Sequence, residues 1–146
     1  MDPATIRFFQ YVADDRTQLH SAVIRVFRET YDAEAAVDLA RVAGGGVQFH
    51  AHVLLQIGIK QGFWRKVGHA PAPETVDVLF RGSNDSGNPR IKVSRDWYVW
   101  KINCPSERVG ELVPRYQEAE IGYVVPPDSL VHRMRCGDYD FVHPGY

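Results

Sequence analysis

Val47-Gln48-Phe49-His50-Ala51-His52-Val53-Leu54-Leu55-Gln56-Ile57-Gly58-Ile59-Lys60-Gln61-Gly62 is the stretch whose reading decides the fold. Its apolar residues Phe49, Val53, Leu54, Leu55 and Ile57 wrap most of a helical circumference, and Gly62 supplies a stop. The pattern predicts a buried, central helix over 48–61 with Leu54 in the core. The same reading governs His50 and His52. On a strand, imidazoles two residues apart share a side and can chelate a metal, whereas on a helix they project about 200° from each other. No metal site is expected from this pair.

Working outward toward the N-terminus, Asp2 suits an N-cap and Pro3 a first helical position, with Ile6, Phe9 and Val12 falling on one face. Asp15 and Gln18 resemble a capping box ahead of Leu19, Val23, Val26 and Phe27, which predicts a second helix over 16–30. Asp32 is placed to cap a third, with Ala36, Leu39, Ala40 and Val42 apolar and Gly44 to Gly46 ending it. Residues 1–62 therefore read as about four helices. Toward the C-terminus, the two X-Pro steps of Gly68-His69-Ala70-Pro71-Ala72-Pro73-Glu74 disfavour helix, and beyond them the period changes to two. Val76, Val78 and Phe80 alternate, as do Ile91 and Val93, and residues 97–102 (WYVWKI) and 120–125 (EIGYVV) read as strands. Alternation assigns Tyr98, Trp100 and Ile102 to the core and leaves Trp97 beside Lys101 on the outside, a platform too small for single-stranded nucleic acid. Asp128 can cap a short helix over 129–135 closed by Gly137, and residues 139–142 can add an edge strand. The expected architecture is one α+β domain over 1–146. An N-terminal helical layer packs on a small, mostly antiparallel C-terminal sheet, residues 74–146, that carries one short helix.

Composition narrows the function. With 45% hydrophobic and 24% charged residues over 146 positions the protein is of ordinary globular type and long enough for a core. Its net charge of −1 offers little counterion release to nucleic acid. The segments 1–59, 60–101 and 102–146 carry five, eight and four basic against seven, four and seven acidic side chains, a mildly basic middle that suits a solvated face. No apolar run approaches a membrane span, MDPATIRFF lacks the pattern of a signal peptide, and Cys104 and Cys136 lack metal-site spacing. Reduced thiols, a cytoplasmic location and no membrane partner are expected. P-loop, GxGxxG, GxSxG and HExxH motifs do not occur, so no cofactor is expected and no catalytic residue is assigned. Cys104, before Pro105, reads as a small apolar residue.

The polar loop Arg81–Arg90 is the segment best suited to meeting a partner. Arginines flank a Gly/Ser/Asn run that contains Asp85, the composition of an exposed turn and also of a phosphate cradle. Glu118 and Glu120, just before a strand, can answer a partner's basic side chains. The expected contact set is Arg81, Asn84, Asp85, Arg90, Glu118 and Glu120. The stretch DWYVWKINCPSERVGELVPRYQEAEIGYVVPPDSLVHRMRCGDYDF, residues 96–141, resembles the C-terminal part of bacterial immunity proteins encoded beside polymorphic or contact-dependent toxins. A Trp-rich strand, the turn RVGEL, AEIG leading to a Pro-terminated strand and a short helix carry the resemblance. It implies a non-enzymatic protein that binds a cognate toxin domain and occludes its active site. Immunity proteins that meet basic nucleases are commonly strongly acidic, so a nearly neutral protein implies a different toxin class. The alternative is a small enzyme or nucleotide-binding domain using the Arg81–Arg90 loop.

Overall fold

The computed structural model describes residues 5–146. Asp2 and Pro3, the expected start of a first helix, lie outside the described residues. The described chain is mostly β. Strands β1 (Thr5–Asp15), β2 (Ser21–Asp32), β3 (Val47–Val53) and β8 (Val124–Val125) form one sheet in the order β1-β2-β3-β8. Strands β4 (Leu79–Ser83), β5 (Trp97–Lys101), β6 (Glu107–Gly110) and β7 (Glu120–Ile121) form a second in the order β6-β5-β4-β7. Helices α1 (Leu39–Ala43), α2 (Leu55–Lys60) and α3 (Pro127–Cys136) are short. The expected N-terminal helical layer and the α+β description built on it are therefore corrected: β1 carries Ile6, Phe9 and Val12 of the expected first helix, β2 takes most of the helix expected over 16–30, and β3 takes the first half of the one expected over 48–61.

The cause is burial on both faces. Ala22, Ile24 and Val26 of β2 join Phe49, Ala51 and Val53 of β3 in a core that includes Leu130 of α3. Val23 points the other way, against Phe80 and Trp100 of the second sheet, as does His52. A strand packed on both sides needs apolar residues at consecutive positions, so period-two alternation is erased and helical spacing appears by coincidence. The β-branched content of Val23, Ile24 and Val26 is the strand signal that remains. The turn between β1 and β2 is disguised as well. Ser21 N–H donates to Gln18 O at 2.9 Å, and Leu19 and His20 both take the left-handed conformation at φ 57° and 54°, positions where hairpins usually place Asn and Gly.

The remaining helical expectations survive only as fragments. Asp32 ends β2, and it is Asp38 that caps α1, its Oδ1 accepting from Ala40 N–H at 3.0 Å. The expected central helix is reduced to α2, and Leu54 is its N-cap residue, 37% exposed rather than buried. In the C-terminal half β5 stands as expected, but residues 91–93 form no strand, only an isolated bridge from Val93 to Gly145. That bridge, with Ser94 N–H donating to Gly145 O at 2.9 Å, ties the end of the chain to the segment before β5, and Trp97 is buried. Trp97 is thus covered on the face that was expected to be open. The stretch 120–125 splits in two, because the backbone leaves the second sheet at Ile121 and enters the first at Val124. Gly122 makes the crossing possible, since a Cβ there would lie 2.2 Å from the Trp100 ring. α3 begins at Pro127, not after Asp128, and closes at Gly137 with φ 87°. Residues 139–142 form no strand.

One buried carboxylate ties the layers together. Oδ2 of Asp15 accepts from His52 Nε2 at 2.9 Å and from Trp100 Nε1 at 3.0 Å. Oδ1 accepts from Thr17 N–H at 3.0 Å, Thr17 Oγ1 at 2.6 Å and Asn103 N–H at 3.0 Å. Asp15 and His52 are fully buried. Burial opposes the Asp15 charge, but the hydrogen bonds from Thr17, His52, Asn103 and Trp100 outweigh it and hold the carboxyl at about 2, below its ordinary 3.8. Burial lowers the His52 pKa against the pull of Asp15, leaving a neutral ring that donates through Nε2.

Both folded-state pKa values lie below the unfolded ones, so their stabilisation is present above the unfolded values and is lost on acidification. Folding free energy measured in urea at successive pH values should decline below about 6.5 through His52 and again between 3.8 and about 2 through Asp15. His52→Gln should shrink the upper step, and Asp15→Asn should cost roughly 3–5 kcal/mol at neutral pH by leaving buried donors without their anion. In the hairpin, Leu19→Asn with His20→Gly should raise stability by about 1 kcal/mol in the same urea measurement, because both residues leave a conformation L side chains resist.

Candidate functional site

The six expected contact residues do not form one surface. Asn84 and Arg90 are exposed on the connection between β4 and β5, whereas Arg81 and Asp85 are partly buried. β7 runs parallel to β4 with Glu120 opposite Phe80, while Glu118 stands exposed in the turn before β7 and Asn84 follows the end of β4.

Asp85 is turned inward by the loop's own hydroxyls. Its carboxylate accepts from Ser94 Oγ at 2.7 Å, Ser94 Oγ meets Ser83 Oγ at 2.5 Å, and Ser83 Oγ accepts from Asp85 N–H at 3.0 Å. Arg81 lies beneath the end of the chain, its guanidinium 5.6 Å from the Trp97 ring and 5.0 Å from the Tyr146 ring. Glu120 is also partly buried, facing Arg133 of α3 at 4.0 Å. Burial raises its pKa, opposed by Arg133, by the His50 N–H and by Arg81. Arg133 itself lies 3.8 Å from the Phe49 ring and 4.7 Å from the Tyr139 ring. This network holds α3 against the sheets, which sequence alone could not separate from an exposed charge pair.

His50 and His52 do share a face, because β3 is a strand, and the argument that a helix separates them is corrected. His52 is committed to Asp15, while burial and Arg25 lower the His50 pKa. No group of three or more His, Cys, Asp or Glu side chains suited to a metal occurs among the described residues.

The loop contributes instead to a recess of about 260 Å³ that sequence reading missed. It is lined by Ser86 and Gly87 of the loop, by Tyr123, Val124 and Pro126, and by Ser129, Phe141 and Val142. The crossing of the backbone between the sheets places Tyr123 there. Its hydroxyl accepts from Ser83 N–H at 3.2 Å and bonds Ser86 Oγ, while its ring packs edge-on to Phe141. The lining combines aliphatic and aromatic walls with three hydroxyl residues, and no imidazole, carboxylate or cysteine lines it. No helix among the described residues is long and apolar enough to cross a membrane. Comparison with family models, with curated proteins and with solved structures gives no match.

The bonds made by Asp85 yield a test of the loop. Asp85→Ala should cost about 1–3 kcal/mol in urea unfolding and speed hydrogen exchange at positions 85 and 96, because Ser94 loses its acceptor and the hydroxyl pair it forms with Ser83 loses its anchor. Asn84→Ala should leave stability unchanged.

Proposed function

We propose that this protein is a non-enzymatic binding protein of the immunity type, which engages a cognate toxin domain through the rim and recess beside the Ser83–Arg90 loop. The observation that carries this reading is the composition of that surface. Apolar walls and hydroxyls lie within the recess, while Asn84, Asn88 and Arg90 stand exposed around the loop that borders it and Val142 is 71% exposed on the opposite side. An apolar centre with a polar rim is the anatomy of a protein interface. The loop is also held by its own hydrogen bonds, so little ordering entropy opposes docking. The resemblance of residues 96–141 to immunity proteins supplies the class of partner, and the near-neutral charge points away from a strongly basic nuclease surface.

Titration calorimetry of the purified protein against the toxin domain encoded beside its gene should show saturable binding. Asn84→Ala with Arg90→Ala should weaken it about tenfold or more with unchanged thermal stability, since truncated polar contacts in a desolvated interface commonly cost this much. Absence of binding, or turnover of a substrate by the isolated protein, would remove the reading.

A further inference from the structure

The segment between β3 and β4 concentrates apolar side chains on the outside of the molecule. Leu54, Ile57, Ile59, Phe63 and Val67 are each 37–48% exposed, five of the eleven large apolar side chains exposed among the described residues. Single exposed apolar residues need no explanation, whereas a cluster of them marks a contact surface. The backbone holds this cluster in one compact turn. Gly62, at φ 78°, ends α2, and Phe63 N–H donates to Gly58 O at 2.9 Å. Trp64 then folds back over the helix. Its Nε1 donates to Leu55 O at 3.0 Å, and its ring leaves no room for a Cβ at Gly58, the buried residue of α2. The Trp64 ring also packs edge-on to Phe9 of β1, which ties the turn to the first sheet.

Charge and geometry together select what covers this turn. Lys60, Arg65 and Lys66 stand exposed in it and make no ion pair or hydrogen bond among the described residues. No Asp or Glu occurs between Asp38 and Glu74, so in a protein of net charge −1 the turn carries a local excess of cations. Such an excess answers a negatively charged surface. Ile57 and Ile59 are two residues apart and project about 200° from each other on a helix, yet both are exposed, as is Leu54. A groove on a folded protein receives one stripe of a helix. A fluid interface instead closes around a projecting turn and covers several sides at once, and it holds anionic headgroups where Lys and Arg stems can reach them. We propose that the Leu54–Val67 turn docks on the surface of an anionic lipid bilayer. Ile57, Ile59 and Phe63 enter the headgroup layer, and Lys60, Arg65 and Lys66 meet the lipid phosphates and carboxylates. The expectation of no membrane partner rested on the lack of an apolar span, and a surface contact needs none. The turn shares no residue with the recess, so this docking and the toxin reading stand or fall separately.

Flotation of the full-length protein with unilamellar vesicles tests the proposal. Vesicles of phosphatidylcholine with about one-third phosphatidylserine should carry the protein upward, and vesicles of phosphatidylcholine alone should bind it at least about tenfold less. Lys60→Gln, Arg65→Gln and Lys66→Gln combined should bring binding to anionic vesicles down to that lower level. Ile57→Ser with Phe63→Ser should weaken it about tenfold or more in a protein whose circular dichroism is unchanged, because the apolar contact with the bilayer is lost. A second measurement needs no variant. Trp97 and Trp100 are buried, so brominated phosphatidylcholine in the anionic vesicles should quench the emission of half-buried Trp64. Equal binding to both vesicle compositions, binding that the serine substitutions leave intact, or the absence of quenching would overturn the proposal. Binding to soluble poly-L-glutamate as tight as to anionic vesicles would also overturn it, assigning the turn to an acidic polypeptide instead.

Discussion

Asp15 is the constraint on which the other parts of this structure depend. Its carboxylate is fully buried and accepts five hydrogen bonds from four residues, drawn from the β1–β2 turn, β3 and the end of β5. A charge taken out of water is tolerated only when its lone pairs are filled this completely. Each donor consequently has one permitted place. His52 fixes the register of β3, because a slip of one residue would turn its imidazole to the opposite face. Trp100 brings β5 of the second sheet against the first, and Asn103, left-handed at φ 61°, turns the backbone after β5 so that its N–H reaches the same carboxylate.

With the sheets held at that point, the route of the backbone between them shapes the candidate site. Residues 120–125 pass from one sheet to the other through Gly122 and Tyr123, and the close approach of the Trp100 ring leaves no room for a side chain at Gly122. Tyr123 is thereby fixed beneath the Ser83–Asn88 turn, and two prolines after β8 start α3. Arg133, from the same helix, reaches back to Glu120, Phe49 and Tyr139. Through Arg133 the helix is tied to β7 of one sheet and β3 of the other.

Some of this was legible in the residues. The Trp97–Lys101 strand, the short helix closed by Gly137 and the polar turn after β4 were read correctly, because each carries a local signal: aromatic and β-branched composition, a glycine free to adopt positive φ, or a Gly/Ser/Asn cluster. The exposure of the six expected contact residues was legible only in part. Asn84 and Arg90 stand exposed, yet nothing in Asp85 or Glu120 distinguishes a solvated carboxylate from one turned inward, since that depends on which way the loop places Ser94 and α3 places Arg133. The Ser129 recess left only the trace of two prolines ahead of a helix.

What the sequence determined by itself was the set of local preferences and the overall balance of charge and apolar content. Those local preferences covered β5 and the glycine stop of α3, whereas the expected helix N-caps at Asp15, Asp32 and Asp128 do not cap helices. Only the tertiary structure decided that residues 16–30 and 47–53 are strand. Ala22, Val23, Ile24, Val26 and Phe27 satisfy helical spacing and strand composition equally well, and local energies do not choose between them. The choice falls to burial on two faces at once, with α3 on one side and Phe80 and Trp100 on the other, together with a buried carboxylate that accepts His52 only from an extended backbone.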